Sequence, residues 1–441
     1  MSINPRKISV QIIYNVLKDK SNLSHELSQC RKQSDLSEVD LRFVSELTTG
    51  TIRNLDYVDC AISCASDVKL SKIAPYVLCV LRVGVYQILF LDKIPDSAAV
   101  NESVKLIKTS SNRRLSGFVN AVLRKVIANG RDFPLPNDEF ERNCIMHSCP
   151  FWIADLWKDR LGLEYRKLLE AMNEKPDTIL RVNTLKTDTS HLIDLLRKDN
   201  WTCAPYTSPV FPGIDYLISA ERVSDLQGSL AYKDGLFYVQ DSAGAYVGEI
   251  LNPKPHSVVF DMCASPGGKT THLAEKMGNK GKIFAFDVSR SKTDRIKQNA
   301  QRLGIDIIEV IQGDSTVSNK SYYGMADYLL VDAPCSGLGI IRKKPDIKYL
   351  RSPQDSKTLA GISKAILTAS APYLKRGGTM VFSTCTTVFE ENEAVLFEFL
   401  KDNPDFHLKK IECSKENEGY ITLYPHTDNC DGFFISLMTK D

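Results

Sequence analysis

Two cysteines each follow an apolar run that is typical of a buried β-strand. Cys335 stands in "LLVDAPCSGLG", and Cys385 stands in "TMVFSTCT". A cysteine thiolate is a strong nucleophile that can form a covalent bond to a substrate. The alternative is a pair of inert core thiols, because free cysteine is among the most buried residue types. The residues alone therefore indicate two candidate nucleophiles and do not choose between them.

Aspartates stand at or near the predicted carboxyl ends of four successive strands, namely Asp261, Asp287, Asp314 and Asp332. Any one of them could instead cap the helix that follows it. Four carboxylates at equivalent strand-end positions favour one shared site for a cationic or hydroxyl-rich cofactor. S-adenosylmethionine carries a sulfonium, a ribose and an adenine amino group, and it fits this pattern.

A glycine-rich turn, "CASPGGKT", joins the first of these strands to a helix. Gly267 and Gly268 allow the backbone to approach a ligand closely. An ATP-binding P-loop is disfavoured because Cys263 stands where that motif needs its first glycine. Asp287 lies twenty positions after Gly267 (287 − 267), which suits a carboxylate that binds ribose hydroxyls. The dinucleotide pattern G-x-G-x-x-G is missing, which disfavours NAD.

The elements that would position these residues form an α/β chain with three predicted parts. Residues 1–140 show helical spacing of apolar side chains and predict an all-helical domain that ends near the breaker segment "NGRDFPLPND". Residues 141–235 are mixed and predict a linker and a small α+β subdomain. Residues 236–441 alternate strands and helices, which predicts a doubly wound parallel sheet with its site at the carboxyl ends of the strands.

Composition restricts the function classes further. The chain has 441 residues and a formal net charge of +2, so no global positive field attracts nucleic acid. The most apolar window, "APYVLCVLRVGVYQILFL", contains Arg82 and Gln87 and predicts a buried helix, not a membrane span. Twelve cysteines without a signal-peptide pattern predict free thiols and a cytoplasmic location.

Three motifs carry a resemblance to a known family. "DMCASPGGKT", "DAPCSGLG" and "STCT", in this order, resemble the RNA cytosine-C5 methyltransferases. The N-terminal "LRVGVYQILFLDKIPDSAAVNESVKLIKTSSNRRLSGFVNAVLRKV" resembles the antitermination factor NusB. Together they resemble the Sun/Fmu family, in which a NusB-like RNA-binding domain precedes an RNA-recognition-like subdomain and a Rossmann-like methyltransferase domain. Departures are Thr386 after the cysteine, Ser265 in the glycine turn, and Cys149 in "MHSCPFW".

The resemblance implies the chemistry and its residues. It assigns the nucleophile to Cys385 and product release to Cys335, whereas the DNA cytosine methyltransferases use the Pro-Cys cysteine as nucleophile. A carboxyl such as Asp332 would supply or share a proton at N3 of the base. The resemblance implies that the cofactor, S-adenosylmethionine, is bound by Cys263, Ala264, Ser265, Pro266, Gly267, Gly268, Lys269, Asp287, Asp314 and Asp332.

The implied partner is 16S ribosomal RNA, naked or in an early assembly intermediate, bound by a monomer. Candidate RNA contacts are Arg181, Arg342, Lys343 and Lys344, although a basic run such as "IRKK" is as often a solvated loop. Cys144, His147 and Cys149 have no fourth ligand at zinc spacing, so no metal is predicted. The competing class, a non-catalytic RNA-binding or antitermination adaptor, would need neither cysteine. Removal of residues 1–128 is expected to leave a folded catalytic domain.

Overall fold

The computed structural model describes residues 4–221, 223 and 226–441. The chain divides into two compact units, of which unit 1 contains Met1–Glu174 and Ile341–Ser352. Unit 2 contains Lys175–Ile340 and Pro353–Asp441. These divisions differ from the predicted breaks near residues 140 and 235, because the helices that follow residue 138 belong to unit 1 and a later segment returns to it.

Unit 1 is helical around one apolar core. Helix α5 is the most apolar run of the sequence, and most of its side chains are buried among the other helices. Polar side chains begin several helices; Asn4, for example, accepts hydrogen bonds from the amides of Arg6 and Lys7. The helices are α1 (Pro5–Lys18), α2 (Leu23–Gln33), α3 (Glu38–Arg53), α4 (Leu55–Ala65), α5 (Pro75–Phe90), α6 (Asp96–Lys108), α7 (Ser116–Asn129), α8 (Glu139–Met146), α9 (Phe151–Leu161) and α10 (Tyr165–Asn173).

Helix α5 is therefore a core helix, as its composition predicts. Over residues 4–221, 223 and 226–441, the structure contains no helix with the length and apolarity that a membrane crossing requires.

Unit 2 begins with a small antiparallel sheet in the order β2-β3-β1-β4. Leu180, Leu196, Trp201 and Phe237 form part of its buried core. The elements are β1 (Thr178–Val182), α11 (Thr189–Lys198), β2 (Thr202–Pro205), β3 (Leu217–Glu221), α12 (Leu230–Lys233) and β4 (Phe237–Val239).

The rest of unit 2 contains a larger mixed sheet in the order β10-β12-β9-β8-β5-β6-β7, with β11 paired to β12. Strands β9, β8, β5, β6 and β7 are parallel, and β10, β11 and β12 form an antiparallel edge. The elements are α13 (Ser242–Leu251), β5 (Val258–Asp261), α14 (Gly268–Lys276), β6 (Lys282–Asp287), α15 (Arg290–Leu303), β7 (Ile308–Gln312), β8 (Ala326–Asp332), α16 (Ile347–Leu350, in unit 1), α17 (Pro353–Ser370), β9 (Leu374–Thr384), α18 (Glu393–Asp402), β10 (Phe406–Leu408), β11 (Tyr420–Leu423), α19 (Pro425–Asp428) and β12 (Phe433–Lys440).

The strand order reverses at β5, whose neighbours β6 and β8 extend the sheet in opposite directions. Ligands of doubly wound sheets bind at the carboxyl ends of strands beside such a reversal. The predicted α/β fold with a helical N-terminal part, a small α+β part and a Rossmann-like part is confirmed, and the antiparallel edge is the feature that the sequence did not predict.

Segment 341–352 packs within the helical unit 1. The Asp346 carboxylate accepts a hydrogen bond from the amide of Leu23 at 3.0 Å. The Lys348 ammonium donates to the carbonyls of Arg53 and Ser148 at 2.9 and 2.5 Å. Lys348 is buried, and this burial lowers its pKa to about 8. The chain therefore leaves unit 2 soon after Cys335, contributes a short, partly buried segment to unit 1, and then returns.

Candidate active site at the carboxyl ends of the central strands

A cavity of about 220 Å³ lies within unit 2 at the carboxyl ends of β5 and β8. Its wall combines the glycine-rich turn with the end of β4, the residues after it and the beginning of β12. The lining residues are Tyr238, Val239, Gln240, Asp241, Gly244, Asp261, Cys263, Ala264, Ser265, Pro266, Gly268, Lys269, Asp332, Ile340, Asp431 and Phe433.

The glycine-rich turn is shaped as its sequence predicts. Gly267 has a φ of +102°, a left-handed conformation that disfavours any side chain. A Cβ on Gly268 would approach the Tyr238 ring to 2.9 Å, so this position also requires glycine. Helix α14 begins at Gly268 and directs its amino-terminal end toward the turn. Of the predicted cofactor residues, the 263–266 run, Gly268, Lys269 and Asp332 line the cavity, whereas Gly267 does not.

The strand-end aspartates occupy different environments. Asp261 is almost fully buried, and its carboxylate accepts hydrogen bonds from Thr270 Oγ1 at 2.6 Å and from the amide of Cys263 at 3.4 Å. Burial raises the pKa of Asp261 to about 7, although the Thr270 bond opposes this shift. A carboxyl that titrates near neutral pH in a cavity is a common sign of a functional site.

Asp287 and Asp314 do not line this cavity. Asp287 is 6% exposed, and its carboxylate accepts from the amide of Ser265, which does line the cavity, at 3.3 Å. Asp314 lies two residues beyond β7, is exposed, and accepts from the hydroxyl of Thr316 at 2.7 Å and from its amide at 2.9 Å. These two bonds lower the pKa of Asp314. Asp287 thus shapes the turn, whereas Asp314 faces solvent.

The two cysteines meet. Strands β8 and β9 are parallel neighbours with Asp332 opposite Ser383, so the residues that follow each strand emerge side by side. The sulfurs of Cys335 and Cys385 are 3.1 Å apart, and neither cysteine is in a disulfide bond. The hydrogen bond with Cys385 and burial raise the pKa of Cys335 well above its usual range. Either sulfur can donate the hydrogen bond that joins the two thiols.

Lys269 carries the positive charge of the site. Its ammonium lies 2.7 Å from the Asp332 carboxylate, which also accepts from Ser383 Oγ at 2.8 Å. Burial lowers the pKa of Lys269, but Asp332 and, to a smaller extent, Cys385 raise it, and the net shift is upward. The ammonium also lies 5.0 Å from the centre of the Phe433 ring. A lysine predicted only as a cofactor contact is thus a cation that acts on both Asp332 and Cys385.

Two of the four predicted RNA contacts are buried and two are exposed. Arg181 is fully buried with its guanidinium bonded to protein groups, so its predicted RNA contact is wrong in this structure. Arg342 is only 9% exposed, which contradicts its predicted grip on phosphates in the same way. Lys343 and Lys344 are exposed and lie on the segment that packs in unit 1. They stay predictions.

Sequence reasoning missed several lining residues, among them Tyr238, Gln240, Asp431 and Phe433. They come from the small sheet and the antiparallel edge, and no local motif marks them. Within the described part of the chain, no group of three or more histidine, cysteine or acidic side chains is arranged to hold a metal ion.

The hydrogen-bond acceptors of the cavity fit S-adenosylmethionine. That cofactor presents a positive sulfonium together with hydroxyl and amino donors, and the cavity offers the carboxylates of Asp241, Asp261, Asp332 and Asp431 as acceptors. A doubly wound sheet with a glycine-rich turn after β5 and carboxylates at the following strand ends defines the class of S-adenosylmethionine-dependent methyltransferases.

Comparison with known proteins identifies the family within this class. The model for 16S rRNA methyltransferase RsmB/F matches residues 248–439, that for the NusB family matches residues 3–128, and that for the RsmF/B-like ferredoxin-like domain matches residues 149–210. The chain is 34% identical to a probable ribosomal RNA small subunit methyltransferase B of Bacillus subtilis, with 99% of this chain and 98% of that protein covered. The Synechocystis protein of the same name is 33% identical, with 99% and 100% covered.

Solved structures agree with this assignment. The crystal structure of PH0851 is 26% identical, covers 100% of both chains and gives a TM-score of 0.84. A methyltransferase homolog from Pyrococcus horikoshii is 28% identical over 69% of this chain and 100% of that one, with a TM-score of 0.59. This chain belongs to the ribosomal RNA small subunit methyltransferase B family, and its cofactor is S-adenosylmethionine. The resemblance inferred from the motifs is confirmed.

Proposed function

We propose that this protein methylates C5 of a cytosine in 16S ribosomal RNA and that Cys385 does so through a covalent bond to C6. The observation that carries the proposal is the pair of thiols 3.1 Å apart, beside the ion pair of Lys269 and Asp332. The relatives' names supply the RNA substrate. A base that enters this site must first be unstacked or single-stranded.

Cytosine C5 is a poor nucleophile, and addition of a thiolate at C6 changes that. The Cys385 sulfur forms a bond to C6, and the C5–C6 double-bond electrons move toward N3, which takes up a proton. Asp332 and Lys269 are the groups able to share that proton, because they form a hydrogen-bonded ion pair at 2.7 Å in the cavity wall. The positive charge of Lys269 also favours the thiolate form of Cys385.

S-adenosylmethionine, when bound, supplies an electrophilic methyl group. The activated C5 forms a bond to this methyl carbon and then carries both a methyl group and a hydrogen. Loss of the C5 proton and cleavage of the C6–sulfur bond restore the aromatic ring and the Cys385 thiolate, and N3 returns its proton. The net products are the methylated base, the demethylated cofactor and one proton.

Cys335 is placed to assist the last step. Its sulfur lies 3.1 Å from the Cys385 sulfur, so a protonated Cys335 thiol can stabilise the departing thiolate with a hydrogen bond. This arrangement supports the division in which Cys385 attacks and Cys335 releases. The reversed assignment, with Cys335 as nucleophile, uses the same pair of sulfurs, and variants at the two cysteines distinguish the two mechanisms.

The two variants Cys385→Ala and Cys335→Ala test the assignment with labelled S-adenosylmethionine and 16S RNA. Cys385→Ala should transfer no methyl group and form no adduct. Cys335→Ala should accumulate a protein–RNA species that survives denaturing electrophoresis and carries the methyl label. Cys413→Ser, a partly buried cysteine elsewhere in unit 2, is the matched control and should behave as the parent protein. An adduct in Cys385→Ala together with inactivity of Cys335→Ala would establish the reversed mechanism instead.

A non-catalytic adaptor remains the competing class, and the same experiment decides it. An adaptor has no use for a pair of partly buried thiols in contact or for a carboxyl whose pKa is raised to about 7. Absence of methyl transfer by the unaltered protein to any 16S RNA or small-subunit assembly intermediate would favour the adaptor.

A further inference from the structure

Arg181, in β1 of the small sheet, has a fully buried guanidinium whose five N–H donors all have acceptors in unit 2. Its Nε–H group donates to one carboxylate oxygen of Glu275 at 3.0 Å, and one N–H of Nη2 donates to the other carboxylate oxygen at 2.8 Å. The other N–H of Nη2 donates a hydrogen bond to Thr271 Oγ1 at 3.0 Å. Nη1 donates to the carbonyl of Gly268 at 2.6 Å and to the side-chain oxygen of Gln240.

Two of these acceptors belong to the wall of the cavity. Gly268 is the first residue of α14 and Gln240 follows β4, and both line the cavity from different elements. Thr271, a third acceptor, donates its own hydroxyl back to the carbonyl of Gly267 at 2.7 Å. The guanidinium therefore connects the glycine-rich turn, the first turn of α14 and the residue after β4 through one planar group.

Stability alone does not explain a buried ion pair of this kind. Removing two charges from water costs several kcal/mol, and apolar replacements of such pairs are often as stable or more so. Burial raises the pKa of Glu275 in spite of Arg181, so the pair does not fully offset the cost of burying the carboxylate. A buried pair that is costly and geometrically specific is better suited to fixing the positions of its partners.

We propose that Arg181 is a positioning residue for the cofactor cavity, holding Gly268 and Gln240 at the separation that S-adenosylmethionine requires. Arg181 touches neither the cysteines nor the cavity surface itself, so it acts through its partners. Lysine cannot replace it, because an ammonium has three donors and cannot span the five acceptors. The proposal depends on this cavity being the cofactor site.

The chain offers a matched control on the same helix. Lys276, at the end of α14, pairs with Glu249 and lies 5.4 Å from the Tyr216 ring centre, and none of these residues lines the cavity. Lys276→Met therefore removes an ion pair of α14 without touching the cavity wall.

The experiment compares Arg181→Met, Arg181→Lys and Lys276→Met by calorimetric titration with S-adenosylhomocysteine, alongside thermal unfolding. Both Arg181 variants should weaken binding by roughly 10- to 100-fold, as expected when hydrogen bonds from a charged group are lost. The KM for S-adenosylmethionine should rise similarly, whereas kcat at saturating cofactor should change by less than about threefold. Lys276→Met should bind as the parent protein does, whatever its melting temperature.

Asp261→Asn, at a residue that lines the cavity, separates failure of this proposal from failure of the site assignment. If Asp261→Asn weakens binding and Arg181→Met does not, Arg181 is only a structural residue and the proposal is overturned. If neither variant weakens binding, the cofactor lies elsewhere and both assignments fall. Should Arg181→Met not fold, Gln240→Leu removes one of the two cavity-wall bonds, and unchanged affinity in that variant would likewise overturn the proposal.

Discussion

Asp261→Asn is expected to stabilise the protein above neutral pH and to leave its stability unchanged near pH 4. The carboxyl of Asp261 is buried at the end of β5, and burial raises its pKa from 3.8 to about 7. Thr270, Lys269, Asp332 and the amide of Cys263 are the groups that face it. Asparagine keeps the shape of the side chain and has no charge to bury.

The expected change in the free energy of unfolding follows from the shift in the pKa of Asp261. A folded-state pKa about three units above the unfolded value corresponds to a penalty of about 4 kcal/mol once both states are ionised. Because the folded pKa is raised, the favourable contribution of the protonated carboxyl is complete below pH 3.8 and disappears as the pH rises through about 7. Asparagine avoids this loss, so its advantage should grow between pH 4 and pH 7 and then level off.

The measurement is the melting temperature of the unliganded protein from pH 4 to pH 8.5. For a domain of this size, about 4 kcal/mol corresponds to an increase of roughly 8–16 °C, which is an upper bound. The matched control is Asp327→Asn in β8, where a hydrogen bond from Lys375 lowers the pKa against the effect of burial. The Asp327 carboxylate stabilises the folded protein at pH values above the pKa that it has in the unfolded chain. Asp327→Asn should therefore lower the melting temperature at pH 8.

Destabilisation by Asp261→Asn at pH 8, or an equal difference at pH 4 and pH 8, would refute the reasoning. The same variant should bind S-adenosylhomocysteine more weakly, because the ionised carboxylate is the strongest acceptor that the end of β5 contributes to the cavity. Greater stability combined with weaker binding would show that a destabilising carboxylate is retained for function.

Two further predictions concern the cofactor turn and unit 1. Asp287→Ala should weaken S-adenosylmethionine binding by about 1.5–3 kcal/mol, measured by calorimetry, and Asp314→Ala should have a smaller effect because Asp314 is exposed and competes with water. The parent protein should gain unit 1 stability between pH 8 and pH 10.5, because the lowered pKa of Lys348 makes the unfolded state bind more protons than the folded state in this range. Lys348→Met should remove this gain. Chemical unfolding of both proteins as a function of pH measures the difference. Equal losses of cofactor affinity in Asp287→Ala and Asp314→Ala would contradict the first prediction. Identical pH dependence of unfolding in Lys348→Met and the parent protein would contradict the second.

The structure also revises an expectation about truncation. Removal of residues 1–128 would delete the amide of Leu23 and the carbonyl of Arg53, which hold Asp346 and Lys348. Segment 341–352 would then lose the partners that make its burial favourable. The truncated chain should be cleaved in this segment by proteases, whereas the full chain should resist cleavage there.

The sequence by itself determined the chemistry-bearing end of the larger sheet. Cys335 and Cys385 each follow an apolar run, and parallel neighbouring strands end at the same edge, so their meeting at 3.1 Å follows from local pattern plus one topological rule. The glycine-rich turn was readable for the same reason, because its backbone conformation is decided by residues adjacent in the chain.

Only the tertiary structure decided which charged residues are buried. Arg181 and Glu275 are 94 positions apart, and nothing near either residue in the sequence indicates that they form a pair. Arg342 stands in a basic run that looks like a solvated loop, yet the segment packs among helices of unit 1. A charged side chain stays in a protein interior when partners from other elements form hydrogen bonds or ion pairs with it, and packing decides which partners those are. The alternation of apolar residues that predicts a strand is, by contrast, a property of the strand alone.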